Sequence, residues 1–243
     1  MADVLTEIGG VQLTVRMAGI IATLLILILF MLLRMAMNKK AAEGTRTLMK
    51  WLDGIGFGLL PAAAVWKIFE AAADAGAGRA LIEPLPRIPW LTENGRFLPC
   101  SIEAAAALLC FAGLCIWMMI RKKELTGQDD VLLISLCLWS GIRVVTESFR
   151  EAPANILRYV YCAVILACLA IWTVRQQKQP DAKRRAVGSW LAALLCTAMI
   201  VLTASGTLSV GSAIGDLAVI TGCAVLTVLL ALLCGNDSRS ISG

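Results

Sequence analysis

The sequence predicts an all-α membrane protein that crosses the bilayer several times, and two observations support this prediction. Hydrophobic residues make up 59% of the 243 residues, and the mean hydropathy is +0.80, whereas soluble domains are about 45–50% apolar. Several apolar stretches also exceed the roughly 18 residues that a membrane-spanning helix requires. We therefore expect a polytopic protein that forms a single integral membrane domain over residues 1–243.

The pattern of apolar runs and polar breaks predicts seven membrane-spanning helices. Asp53, on the predicted inner side, is interpreted as a residue that snorkels to the membrane interface. The second span is interrupted by Asp53, Pro61 and Lys67. It is retained because the alternation of basic connecting segments would break without it. The approximate bounds of the seven spans are 17–37, 50–72, 99–120, 130–149, 154–174, 187–205 and 215–234.

Basic residues are concentrated in alternate connections between the predicted spans. They occur at 39–50, 121–123 and 175–185, and Arg239 follows the last span. The positive-inside rule assigns these segments to the cytoplasm, so the N-terminus is expected outside and the C-terminus inside. The first apolar run is too long for a cleaved signal peptide, and its basic residues follow it rather than precede it.

Cysteine and histidine usage limits the chemistry that the chain can perform. Nine cysteines occur, almost all within apolar runs and without a CxxC pair, and the sequence contains no histidine. These cysteines are interpreted as small buried hydrophobes, so neither a metal nor a cofactor is predicted. Without histidine, any proton transfer would need a carboxylate, a lysine or the substrate. The net charge of +5 is explained by topology, and no nucleic-acid partner is expected.

A charged stripe in the fourth predicted span is the main indication of function. Arg143, Glu147 and Arg150 are spaced by four and three residues, which places them on one helical face. Each would cost roughly 2.5–3.5 kcal/mol near a bilayer centre, and such residues usually mark a functional site. Two interpretations remain open. The triad either neutralises itself and locks the helix to a neighbour, or binds a phospholipid phosphate at the outer leaflet.

Other ionisable residues are predicted at the same side of the membrane. Lys67, Glu70, Asp74 and Arg79 lie near the outer end of the second span, and Glu103 lies near the outer end of the third. Solvation at the membrane interface would explain each of them separately. Their shared placement with the charged stripe favours a site on the outer side.

Residues 139–153 (WSGIRVVTESFREAP) resemble a signature of the prolipoprotein diacylglyceryl transferases. In that family an aromatic residue precedes an arginine, three apolar residues, a glutamate, two aromatics and Arg-Glu-Pro. The positions that match are Arg143, Glu147, Phe149, Arg150 and Glu151, with Pro153 one place late.

Three further segments are similar to the family, and together the resemblance covers residues 10–175. Residues 98–103 resemble its proline-containing segment that ends in glutamate, although the usual leading histidine is absent. Residues 67–79 align with its glycine- and asparagine-bearing motif, with lysine and glutamate in place of arginine and asparagine. Residues 10–19 resemble the entry to its first span. The family's helices with a histidine-glycine segment are missing, and residues 187–234 form two additional C-terminal spans.

The resemblance implies an enzyme of the bacterial cell membrane that transfers a diacylglyceryl group from phosphatidylglycerol to a prolipoprotein cysteine thiol. In this reading phosphatidylglycerol and prolipoprotein are the partners. An alternative is a non-catalytic relative that binds phospholipid or a lipoprotein through the charged stripe, since the family's histidine and asparagine are absent. A small transporter or scaffold is a third reading. The resemblance implies catalytic roles for Arg143, Glu147 and Glu103, and substrate-binding roles for Arg150, Lys67, Glu70 and Arg79.

Overall fold

Seven helices form almost all of the described structure. A computed structural model describes residues 4–8, 11–37, 47–73, 92–93, 96–97, 99–120, 130–147, 155–176, 180–209 and 211–237. Within these residues the helices are α1 (Val15–Met37), α2 (Thr47–Ala73), α3 (Pro99–Ile120), α4 (Asp130–Glu147), α5 (Asn155–Gln176), α6 (Pro180–Ala204) and α7 (Ala213–Asp237). Each helix coincides with one of the seven predicted spans, so the predicted all-helical architecture is confirmed.

Two short antiparallel hairpins accompany the helices and were not predicted. The first pairs β1 (Val4–Ile8) with β2 (Val11–Thr14), and the second pairs β3 (Thr92–Glu93) with β4 (Arg96–Phe97). They contain few residues, and the fold is otherwise helical.

Six of the seven helices are long and apolar enough to cross a membrane, namely α1, α2, α3, α5, α6 and α7. The exception is α4, which has 18 residues and contains Asp130, Arg143 and Glu147. The prediction of seven spans is therefore supported for six by length and composition. The helices indicate a multi-pass membrane protein, and the orientation of its termini stays a prediction.

Apolar side chains on the outside of the helices agree with a lipid environment. On α1, Leu24, Leu25, Ile28 and Leu29 are between 47% and 61% exposed. A contiguous apolar surface of this kind marks a membrane or protein contact rather than a water-facing surface. Here it extends along a helix with the length and hydropathy of a membrane span.

The contacts divide the chain into two compact units, residues 1–135 and 136–243, and the division falls within α4. In the first unit, α2 packs against α1 and α3. Its core includes Leu60, Ala64 and Ala107, together with a cluster of three aromatic rings whose centroids are 5.2–5.9 Å apart, those of Phe30, Phe57 and Phe111.

Glycines on α2 allow its neighbours in the first unit to approach closely. A Cβ at Gly58 would lie 2.9 Å from the carbonyl oxygen of Leu27 on α1. On another side of α2, a Cβ at Gly56 would collide with the backbone of Leu132 at the start of α4. Small residues at such crossings let helix backbones pack tightly in membranes.

In the second unit, α5, α6 and α7 pack against one another. The core that they form together with Val144 of α4 also includes Cys162, Ile200, Ile220 and Ala224. The end of α6 is closed by a C-terminal motif centred on a glycine with a φ of 74°. Gly206 N donates to Thr203 O, and Thr207 N donates to Leu202 O, so carbonyls that lack helical partners are satisfied.

Candidate functional site: two buried charged clusters

The first cluster, here called the lysine cluster, consists of Lys67, Glu70 and Glu103. Lys67 Nζ lies 2.7 Å from Glu70 Oε2 and 2.9 Å from Glu103 Oε2. Lys67 and Glu70 are three residues apart on α2 and therefore share a face, while Glu103 belongs to α3. The three residues that the sequence predicted at the outer ends of two spans are thus in direct contact.

Burial and charge determine which ligands the lysine cluster can bind. The side chains of Lys67 and Glu103 are 7% and 0% exposed, whereas that of Glu70 is 30% exposed. With all three groups ionised, two carboxylates surround one ammonium, and the sum of their charges is negative. Because Lys67 already makes two ion pairs within the protein and the summed charge is negative, the cluster disfavours binding of a phosphate.

The second cluster, here called the arginine cluster, is centred on Arg143 of α4. Arg143 Nη2 lies 3.6 Å from Glu147 Oε2, one turn further along the helix. Arg143 Nε donates to Tyr161 Oη on α5 over 3.4 Å, and Cζ lies 5.4 Å from the centroid of the tyrosine ring. A guanidinium over an aromatic ring gains a cation–π attraction that strengthens when water is excluded. Arg143 and Glu147 are both buried.

Arg158 of α5 completes the arginine cluster. Its Nη2 donates to the backbone carbonyl of Glu147 over 3.5 Å, and the residue is 2% exposed. The last carbonyls of a helix lack intrahelical partners and carry partial negative charge, so a guanidinium is favoured there. The described members of this cluster are therefore two arginines, one glutamate and one tyrosine.

Sequence reasoning did not identify Arg158 or Tyr161 as site residues. The signal for Arg158 was present, because it is a cation in an otherwise apolar stretch, like Arg143. Tyr161 is one of only two tyrosines in the chain and follows Arg158 by one helical turn. Neither residue lies in the signature segment 139–153, where the family resemblance is most specific.

A third buried ion pair joins α1 to α2 in the first unit. Arg34 Nε donates to Asp53 Oδ2 over 2.7 Å, and the two side chains are 7% and 3% exposed. The guanidinium also lies 5.8 Å from the ring centroid of Phe57. Sequence reasoning assigned Asp53 to a solvated membrane interface, and this interpretation is wrong. The aspartate is buried because an arginine on the preceding helix neutralises it.

The described site residues fall into one group in each unit. Lys67, Glu70 and Glu103 meet in the first unit, and Arg143 and Glu147 meet in the second. Arg79 and Arg150 lie outside the described residues. A single site that contains all seven residues stays a prediction.

Residue types that bind metals are dispersed within the described part of the chain. Among those residues, no group of three or more His, Cys, Asp or Glu is arranged to hold a metal ion. In the same part of the chain, no disulfide bond is formed by Cys100, Cys110, Cys115, Cys137, Cys162, Cys168, Cys196 or Cys223.

No protein-family model, curated protein or solved structure matches this chain. The helices alone indicate the class of protein, which is a helical multi-pass membrane protein. Within it, charged side chains are buried in the lysine cluster, in the arginine cluster and in the Arg34–Asp53 pair.

Proposed function

We propose that the chain is a divergent relative of the prolipoprotein diacylglyceryl transferases. It binds phosphatidylglycerol and transfers the diacylglyceryl group to a cysteine thiol of a prolipoprotein. The observation that carries this proposal is the buried Arg143, which is held by Glu147 and Tyr161. It lies in the same segment, 139–153, whose spacing resembles the family signature.

The proposed role of Arg143 follows from the charge that develops in the reaction. The thiolate sulfur attacks the glyceryl carbon that carries the phosphate, and a carbon–sulfur bond forms. The carbon–oxygen bond breaks, and its electron pair leaves with glycerol phosphate. A preorganised guanidinium in a water-poor site stabilises the negative charge on that phosphate strongly. The ion pair with Glu147 and the tyrosine ring preorganise Arg143 for this role.

The thiol proton must be accepted by a group other than histidine, because the chain has none. A free cysteine thiol has a pKa of about 8.5, so its ionisation near neutral pH needs assistance. Glu70, Glu103 and Glu147 are the carboxylates among the predicted site residues. Separate substitutions by glutamine identify which of them the transfer requires.

A second candidate function is non-catalytic binding of phospholipid or of a lipoprotein. It would use the same charged stripe, with Arg143, to hold its ligand. The observation that favours it over catalysis is the lysine cluster, in which Lys67 is paired with two carboxylates instead of being directed to a substrate anion. In both candidates we propose that the protein resides in a bacterial cell membrane with its N-terminus outside. The C-terminal end of α4 then faces the outer leaflet, where phospholipid head groups are available.

Complementation of a transferase-depleted bacterium tests the enzyme proposal. We expect wild type to restore growth and Arg143→Ala to abolish the rescue. Arg34→Ala is a matched control, because Arg34 is an equally buried arginine outside the arginine cluster. Rescue per amount of inserted protein should persist in that control. Well-inserted wild-type protein that does not rescue growth rejects the transferase reading.

Native mass spectrometry separates the two candidate functions. If the protein binds phospholipid without catalysis, wild type should retain phosphatidylglycerol while failing to complement. Arg143→Ala should lose the lipid. Equal retention by both proteins would reject Arg143 as the head-group ligand.

A further inference from the structure

Two side chains of α5, one helical turn apart, hold the last turn of α4. Arg158 Nη2 donates to the Glu147 carbonyl over 3.5 Å, and Tyr161 Oη accepts from Arg143 Nε over 3.4 Å. Residues three apart lie on the same face of a helix. The same face of α5 therefore supplies one contact to the backbone of α4 and one to its buried guanidinium.

The contacts made by Arg158 and Tyr161 both act on the ion pair between Arg143 and Glu147. Arg158 fixes the backbone position of Glu147, and the carboxylate of Glu147 is paired with the Arg143 guanidinium. Tyr161 contacts that guanidinium through both its hydroxyl and its ring. A displacement of this turn of α4 would therefore move Glu147 and Arg143 together.

We propose that Arg158 and Tyr161 are positioning residues that orient the Arg143 guanidinium toward an anionic phospholipid head group. This inference rests on the proposed function, in which Arg143 binds the phosphate of phosphatidylglycerol. It extends that function to two residues on a different helix, outside the signature segment 139–153. Neither residue needs to touch the lipid to have this effect.

A positioning role and a purely structural role predict different kinetics. A misoriented Arg143 would stabilise the leaving phosphate less well, so kcat should fall while KM for the peptide stays constant. Misplacement by about 1 Å can reduce a rate by about a hundredfold. A structural role would instead reduce the amount of folded protein and leave kcat per folded molecule unchanged.

The test uses the purified full chain in phosphatidylglycerol vesicles with a synthetic lipobox-cysteine peptide. We expect kcat to fall by about tenfold or more in Arg158→Gln. Arg158→Lys should be intermediate, because it keeps the charge without the forked geometry. Tyr161→Phe should lower kcat by about three- to tenfold, since it removes one hydrogen bond and keeps the ring.

Thr173→Val is the matched control on the same helix. Thr173 Oγ1 accepts a 2.9 Å hydrogen bond from Trp190 Nε1 on α6, so the substitution also removes a part-buried hydrogen bond of α5. We expect its kcat per folded molecule to equal that of wild type. Unchanged kcat in both Arg158→Gln and Tyr161→Phe would overturn the positioning role.

Failure of the proposed function can be distinguished from failure of this inference. If wild type does not transfer the lipid but retains phosphatidylglycerol in native mass spectrometry, the transferase reading is rejected. Loss of lipid in Arg158→Gln, as in Arg143→Ala, would then still support positioning, and full retention would overturn it. Wild type that neither transfers nor retains the lipid rejects the proposed function together with the inference.

Discussion

Lys67 on α2 lies 2.9 Å from Glu103 on α3, and both side chains are almost fully removed from solvent. A buried ammonium without compensation would be strongly unfavourable. The ion pair therefore fixes how α2 and α3 face each other at this depth. Glu70 adds a second carboxylate at 2.7 Å from the same nitrogen.

Lys67→Met should destabilise the protein by about 3–5 kcal/mol, because it leaves the buried Glu103 without its cation. Chemical unfolding in detergent, followed by tryptophan fluorescence, measures this loss. Lys50→Met is the control, since Lys50 also lies on α2 but is only partly buried. Adding Glu103→Gln to Lys67→Met should recover part of the loss. Equal stability of Lys67→Met and Lys50→Met would contradict this prediction.

The Arg34–Asp53 pair should show strong energetic coupling in a double-mutant cycle. Each of Arg34→Met and Asp53→Leu should cost about 3–5 kcal/mol, because each leaves one buried charge unmatched. The double variant should cost less than the sum of the two, by at least about 1 kcal/mol. The free energy of unfolding of the four proteins provides the measurement. Additive effects would show that the two side chains do not stabilise each other.

Gly56→Ala should destabilise the protein by about 1–3 kcal/mol through overpacking. The added methyl would meet the backbone of Leu132, which cannot move aside as a flexible side chain can. Gly113→Ala is the matched control, because a Cβ there meets nothing within 4 Å. That substitution should be neutral or stabilising by up to about 1 kcal/mol, since alanine favours the helix. Thermal unfolding of both variants in the same detergent compares them, and an equal effect would contradict the predicted close approach.

The charged helix α4 should cross the membrane despite its three ionisable residues. Reporters that are active on one side of the membrane, inserted at Gln128 and at Ala152, test this crossing. We expect the first reporter to be cytoplasmic and the second to be outside, because basic residues are concentrated at 121–123. Reporters on the same side would show that α4 does not span, and would reverse the expected orientation of every later helix.

The helices were predictable because their signal is long and uniform. A run such as Val15–Met37 is apolar over many turns, and composition alone identifies it. The N-terminal hairpin was overlooked because its strands are short and lie beside that stronger signal. Its sequence signal was Gly9-Gly10 between two segments with polar and apolar residues, a common hairpin connection.

The charged clusters were only partly predictable, because spacing along one helix does not reveal partners on another. The pair formed by Arg143 and Glu147 follows from their separation of four residues. The contacts that Arg143 makes with Tyr161, and Arg34 with Asp53, depend on how helices pack. A single sequence contains little information on that packing. The same limitation led to the wrong interpretation of Asp53.

The ion pair between α1 and α2 affects how these two helices are inserted into the membrane during biosynthesis. Arg34 leaves the ribosome before Asp53, so α1 reaches the translocon with a cation whose counter-ion is not yet made. Each charge alone would be buried without compensation between the two helices, whereas the pair is neutral. The glycines of α2 also allow the two helices to approach closely. We therefore expect α1 to remain at the translocon until α2 has been synthesised, and both helices to enter the lipid together.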